Sequence, residues 1–259
     1  MRKKSPSGAQ AVLRAIALLK AFTLEKPERD VAGLAGETGL SRGTVHRLLA
    51  ALESEGLVTR GQHERRHGPY RLGPAATALG VRALRSSKLR ESAHSGLEQL
   101  AEKTGETATL EVLSDGKMLI LDEVLGDRLV GAAPSLGTAW ALHATSTGKA
   151  ILAALPQSRV GELLPRTLAR FTPKTITARA RLDEALEQVR GRGYATALEE
   201  LEEGYSAAGA VIRTPMLEPY AALSLGGPSA RLSQGVVEEL GGLVKSCADR
   251  ISAELGFEN

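Results

Sequence analysis

The stretch GLSRGTVHRLLAALESEGLV, residues 39–58, decides the fold. Ser41 stands where a helix N-cap is needed, and Gly56 stands where a helix of about fourteen residues has to stop. Between them Val45, Leu48, Leu49 and Leu52 repeat at i, i+3, i+4 and i+7, so they share one face and pack inward. The opposite face carries Gly43, Arg47, Ala50 and Ser54, flanked by Thr44 and His46. Apart from Arg47 that face is short-chained. A helix entering a major groove needs small residues for close approach and a few long donors for base edges and phosphates. Its N-terminal end, around Ser41 and Arg42, offers free N–H groups to a phosphate. Taken alone, an ordinary surface helix with an arginine and a histidine fits the same letters.

The flanking sequence decides between the two readings. VAGLAGET, capped by Asp30 and closed by Gly39, is a short helix lying a tight turn before the first. An amphipathic helix precedes it over about Ala9–Thr23, with Val12, Ala15, Ile16 and Leu19 on one stripe. Beyond Gly56, LVTR and YRLG read as two short strands joined by GQHERRHGP, a basic loop. Helix, turn, helix and basic wing together predict a winged helix-turn-helix over residues 1–73. Arg65 and Arg66 in the wing are candidates for phosphate or minor-groove contact, with a solvated charge run as the plain alternative. Lys and Arg exceed Asp and Glu by six over residues 1–73, whereas the remainder has an acidic excess of three. A basic head on a mildly acidic body suits a polyanion partner.

A connector helix is expected over 74–87, and a second domain over 88–259. It opens with a helix at about Lys88–Glu102. TATLEVLS and KMLILDEV flank Asp115-Gly116, a strong hairpin signal. RLVGAA reads as a further strand, and SLGTAWALHATSTG as a loop leading into a helix, KAILAAL. Helices at about Gln157–Leu164 and Arg179–Arg192 follow. Three more strands, YATALEE, YSAAGAVIRT and YAALSLGG, precede a closing helix at Ser233–Leu255. Strands and helices mix without strict alternation, which predicts an α+β sheet with helices packed on it.

Composition narrows the function. Hydrophobic residues are 42% and charged residues 24%, a soluble globular balance; aromatics are 3%, so cores are aliphatic. Apolar runs fall well short of a membrane span, and no apolar signal region follows MRKKSPSG. A cytoplasmic protein with no membrane partner is expected. The single cysteine, Cys247, reads as a small buried helix residue. Gly148-Lys149 lacks the glycine and hydroxyl that a P-loop requires, so nucleotide binding is rejected. Lys149 reads as structural or surface, and His143 as a hydrogen-bonded core residue. The run Glu199, Glu200, Glu202, Glu203 reads as solvated surface. Without CxxC, HExxH or GxSxG, neither catalysis nor a cofactor is expected.

The segment 39–58 followed by YRLGP (70–74) resembles the DNA-binding domain of the IclR family of bacterial transcription factors. LHATSTGKAILAALP (142–156), RGYATALEELEEG (192–204) and AALSLGGPSARLS (221–233) are similar to that family's effector-binding domain. The likeness spans nearly the whole chain, in the family's order. It implies a winged-helix head, a connecting helix, an effector domain with a curved antiparallel sheet, and dimers often paired into tetramers. The partners it implies are a double-stranded DNA operator, a small-molecule effector and copies of the same chain. Gly43 stands where the family commonly has serine. The resemblance places effectors between Ser146-Thr147-Gly148, the strand of Ala207 and the strand of Ser224. Members that bind small oxyacids use an aspartate, a cysteine and two serines. The matching positions here are Ala197, Ala207, Ser224 and Gly226, so only Ser224 survives. That points to a larger, less polar effector, aromatic or hydrophobic. Leu110, Leu121 and Val130 are candidates for its apolar lining, with ordinary core packing as the alternative for each. Two other readings stay open here: an enzyme or sensor fused to a DNA-binding head, and an architectural DNA-binding dimer with a ligand-free C-terminal domain.

Overall fold

In the computed structural model the described residues are 9–24, 26–61, 68–85, 87–128, 136–215 and 217–257. The chain divides into two compact units, residues 1–86 and 87–259.

The first unit contains α1 (Gln10–Lys20), α2 (Val31–Thr38), α3 (Arg42–Ser54), a two-stranded antiparallel ribbon of β1 (Val58–Arg60) and β2 (Tyr70–Leu72), and α4 (Pro74–Arg85). Its turns are set by caps. The Asp30 carboxylate accepts from Gly33 N at 2.7 Å, and Gly39 closes α2 at φ +67°. Ser41 Oγ accepts from Thr44 N at 3.3 Å and opens α3. Leu18, Leu34, Val45, Leu49, Leu52, Val58 and Tyr70 form the core, with Leu48 half-buried beside them. The stripe expected on α1 is corrected in part. Leu18 is its buried residue, with Ala15 and Leu19 packed alongside, whereas Val12, Leu13 and Ile16 are 59%, 50% and 42% exposed. An amphipathic pattern records that a face is apolar without saying whether this chain covers it.

The second unit is a six-stranded antiparallel sheet in the order β5-β4-β3-β8-β7-β6. Its strands are β3 (Thr107–Ser114), β4 (Lys117–Val124), β5 (Ala139–Ala141), β6 (Ala195–Leu198), β7 (Tyr205–Thr214) and β8 (Leu217–Pro228). The β3–β4 hairpin turns at Asp115-Gly116, both with positive φ. Helices α5 (Lys88–Thr104) and α9 (Gln234–Glu254) cover one face, over Ala108, Leu110, Ala208, Ala210, Ile212, Leu223 and Leu225. Cys247 is buried there. Helices α6 (Ser146–Ala154) and α8 (Arg179–Arg192) pack with Met118, Ala195, Val211 and Ala222 on the other face, and α7 (Gln157–Leu163) contributes Val160 to that cluster. Strand β5 was not expected, being three residues inside a glycine- and threonine-rich stretch. The strand expected over RLVGAA lies outside the described residues beyond Arg128.

Two glycines let the start of α6 pack closely, one against the sheet and one against the turn before the helix. A Cβ on Gly209 of β7 would come within 2.9 Å of Ser146 C and Thr147 N, and one on Gly148 within 2.2 Å of the Leu142 carbonyl oxygen. The start of α6 therefore lies directly against β7.

Candidate functional site

In the first unit, the residues expected to read DNA sit together on the outward side of α3. Ser41, Arg42, Gly43, His46 and Arg47 are exposed and Thr44 is half-buried. The Ser41 and Thr44 hydroxyls lie 2.9 Å apart, so both also serve the cap. A Cβ on Gly43 would meet nothing within 4 Å. The surface there is open to close approach. Arg65 and Arg66 lie outside the described residues. The strands carrying the wing are held to the rest of the head by reciprocal Arg29–Tyr70 backbone bonds of 2.8 and 2.7 Å, and Arg60 stacks over Tyr70 at 4.8 Å.

In the second unit, a cavity of about 180 Å³ opens between the start of α6 and the sheet. Of the expected effector residues it brings together Ser146, Thr147, Ala197, Ala207 and Ser224. The pairings Ala197↔Ala207 and Gly209↔Ser224↔Thr109 run these positions across β6, β7, β8 and β3 on one face of the sheet. Ile120, Trp140, Ala144 and Leu201 supply an apolar wall.

Four expectations need correcting. Leu110 is fully buried in the core under α5 and α9, on the opposite face of the sheet. Leu121 packs against that same core. The cause is a bulge: Leu110 pairs with Asp122 and Glu111 with Ile120, so Leu121 is an extra residue and the lining position is Ile120. The same shift sends Asp122 toward α5, where it meets Arg90 at 3.1 Å and His94 at 2.8 Å. Gly148 packs against Leu142 and does not line the cavity. Gly226 leaves no vacant volume: a Cβ there would lie 2.3 Å from the Tyr205 hydroxyl, so Tyr205 takes that space and lines the cavity itself. Val130 lies outside the described residues.

The hydroxyls of Ser146, Thr147 and Ser224 were expected, but the cavity's carboxyls and its phenol were not. Glu111, on β3, is buried at its base. Its carboxylate accepts from Thr147 Oγ1 at 2.7 Å and Thr109 Oγ1 at 3.0 Å. Burial pushes the Glu111 carboxyl above its ordinary value, and those two hydrogen bonds oppose the shift. Burial also raises the Tyr205 phenol, with Glu111 adding to the effect, so Tyr205 keeps its proton. The signal for Glu111 was present in TATLEV: a polar residue every second position places Thr107, Thr109 and Glu111 on one face.

The acidic run is corrected too. Glu203 is exposed and Glu202 is exposed beside the cavity, but Glu200 is buried and lines it. Lys149 Nζ donates to Glu200 Oε1 at 2.5 Å, with the two side chains 4% and 10% exposed. Burial lowers the Lys149 ammonium from its ordinary value, and the Glu200 carboxylate opposes this. Thr175 Oγ1 donates to the Glu200 carbonyl at 2.6 Å, which holds the segment in place. Glu199 accepts from Gly204 N at 3.1 Å and Ser229 Oγ at 2.7 Å as well as from Lys174, and these bonds lower its carboxyl to about 2. His143 is a core histidine whose Nε2 meets the Ala169 carbonyl at 2.9 Å. Among the described residues no cluster of His, Cys, Asp and Glu could hold a metal, and no helix is long and apolar enough to cross a membrane.

Comparison with known proteins places this architecture. The IclR helix-turn-helix domain matches residues 11–61, and the bacterial transcriptional regulator IclR C-terminal domain matches residues 81–253. An HTH-type transcriptional regulator of Mycobacterium tuberculosis is 35% identical over 247 residues, covering 95% of this chain and 92% of that protein. The transcriptional repressor IclR of Escherichia coli is 32% identical, covering 95% and 90%. Among solved structures, an IclR homologue of Microbacterium hydrocarbonoxydans complexed with 4-hydroxybenzoate is 25% identical with a TM-score of 0.76, covering 95% of this chain and 99% of that one. Matched over both units, this chain belongs to the IclR family of DNA-binding transcriptional regulators.

Proposed function

We propose that this regulator reads its operator through the outward face of α3 and changes its DNA affinity when a largely apolar, aromatic-sized effector fills the cavity against α6. The observation that carries the reading is the cavity itself: alanines at 197 and 207, facing Ile120, Trp140 and Leu201. Small side chains at those positions leave room for a ligand body, and apolar burial there contributes about 25 cal/mol per Å². That an IclR homologue was crystallised with 4-hydroxybenzoate supports an aromatic effector. Ser146, Thr147 and Ser224 are the proposed polar contacts beside it. On α3, Arg42, Gly43, His46 and Arg47 are the proposed DNA-facing residues, with Ser41 and Thr44 at the helix start, and Arg65 and Arg66 contribute from the wing.

The working unit is at least a dimer. Val12, Leu13 and Ile16 present an apolar face on α1 that a second copy would cover, and paired heads match the two halves of a pseudo-palindromic operator. A strictly monomeric mass by light scattering, with and without DNA, would sink that part.

The effector reading is tested by a ligand panel of small oxyacids, aromatic acids and neutral hydrophobic compounds. Trp140, the single tryptophan, lines the cavity and reports binding by its fluorescence. Aromatic or hydrophobic compounds are expected to bind best, and Ala207→Asp is expected to weaken them. Best binding by glyoxylate- or pyruvate-sized acids refutes the reading. So does an Ala207→Asp variant that binds the hydrophobic hits unchanged.

A further inference from the structure

Tyr205 brings to the cavity wall a polar group that is long, rigid and unspent. Its backbone is fixed on both sides. The Tyr205 carbonyl accepts from Glu199 N at 2.9 Å, its N donates to the Glu202 carbonyl at 3.4 Å, and the residue pairs with Pro228 of β8. On the same face of the sheet the next pairs inward are Ala207↔Gly226 and Gly209↔Ser224. The phenol lies along that face: a Cβ on Gly226 would be 2.3 Å from the Tyr205 hydroxyl and 3.0 Å from the Ala207 methyl. Tyr205 therefore reaches inward from its own pair to the next one, and Gly226 gives it the room. A side chain at 226 and the phenol are alternative occupants of one space.

The threonine hydroxyls of the cavity are already committed. Thr109 and Thr147 both donate to Glu111, and Thr145 donates to the Ala141 carbonyl while accepting from Gly148 N. No described residue makes a hydrogen bond with the Tyr205 hydroxyl. Its surroundings nevertheless hold its proton, since burial raises the phenol and the carboxylates of Glu111, Glu106 and Glu202 raise it further. A phenol that keeps its proton is a donor. With two side-chain torsions it loses little freedom when it makes a bond. A ligand that fills the cavity and shuts out water strands this donor unless it brings an acceptor.

We propose that Tyr205 is a specificity-determining residue of the cavity, its hydroxyl donating to an acceptor oxygen at the end of the ligand that lies over Gly226. This rests on the reading of the cavity as the effector pocket. The chemistry asked of the ligand is an aromatic body ending in a carbonyl or carboxylate oxygen, and the two sources are separated by the probes.

The test is a matched series on one ring: acetophenone, benzoate and ethylbenzene, titrated into full-length wild type and Tyr205→Phe and read by Trp140 fluorescence and calorimetry. Tyr205→Phe keeps the ring and removes only the hydroxyl. It is expected to weaken acetophenone about fivefold, the worth of one neutral hydrogen bond, or benzoate about tenfold, the worth of a charge-assisted one. Loss for either acceptor probe supports the assignment and shows whether the oxygen is a carbonyl or a carboxylate. Ethylbenzene is expected to stay within about twofold. The circular dichroism melt of Tyr205→Phe is expected to match the wild type, because the hydroxyl has no partner to lose. Unchanged binding of both acceptor probes overturns the inference, and so does an equal loss for all three probes, which would make Tyr205 a packing residue only. In either case Ala207→Asp still weakens the probes and the effector pocket stands. Failure of all three to bind the wild type, or indifference of all three to Ala207→Asp, overturns the pocket reading and the inference with it.

Discussion

Replacing Lys149 with methionine tests whether the cavity wall depends on its buried ion pair. The two side chains are 4% and 10% exposed and joined at 2.5 Å, so neither charge is hydrated. Methionine preserves most of the volume but strands the Glu200 carboxylate, which already has one oxygen without a partner. Removing one member of a buried pair costs about 3–5 kcal/mol. For a unit the size of residues 87–259 each kcal/mol moves the melting temperature by about 2–4 °C, so the expected drop is roughly 6–20 °C. The double variant Lys149→Met/Glu200→Leu is expected to recover most of that loss, because a buried pair replaced by apolar residues is often neutral. The Thr175 bond goes to the Glu200 carbonyl and survives the change. Urea unfolding of the full-length protein followed by Trp140 fluorescence reads the second unit selectively. A loss under about 1 kcal/mol for Lys149→Met, or a double variant as unstable as the sum of the two singles, refutes the reasoning.

Three further outcomes are expected. Arg47→Ala should weaken operator binding by about 1–3 kcal/mol without lowering the melting temperature of the head; unchanged affinity in a gel-shift titration counts against the assigned face of α3. Gly43→Ser should be tolerated, since a Cβ there meets nothing within 4 Å, and should stabilise α3 by about 0.5 kcal/mol while tightening DNA binding through one added hydroxyl; a destabilised head contradicts the open geometry. Glu111→Gln should change the pH dependence of stability. Because burial raises the Glu111 carboxyl, its contribution is complete below the ordinary value of 4.5 and is lost as pH rises through the raised folded value. The variant should therefore gain on the wild type as pH rises above 4.5, and parallel denaturation curves from pH 4 to 8 would show that Glu111 is not so placed.

The head was legible because its signals are local. Asp30, Gly39 and Ser41 cap helices within a few residues, and the period of Val45, Leu49 and Leu52 marks the buried side of α3. The cavity was legible only in outline. Leu110 and Leu121 belong to a sheet covered by helices on both faces, so an apolar residue does not reveal which face it serves, and the bulge at Leu121 shifts the alternation. Gly226 looked like an empty position until Tyr205, on the neighbouring strand β7, proved to occupy it. Glu200 sits in a run of glutamates that reads as surface, and its partner Lys149 is 51 residues away. Contacts of that kind depend on topology, which no local pattern encodes.

The central claim is that a ligand in the cavity changes how the head holds DNA. The direct measurement is fluorescence anisotropy of a genomic fragment selected by the purified protein, titrated with and without a compound that quenches Trp140. The account predicts a shift in DNA affinity that saturates with the quenching and is lost in Ala207→Asp. An affinity that stays constant while Trp140 is fully quenched would contradict it.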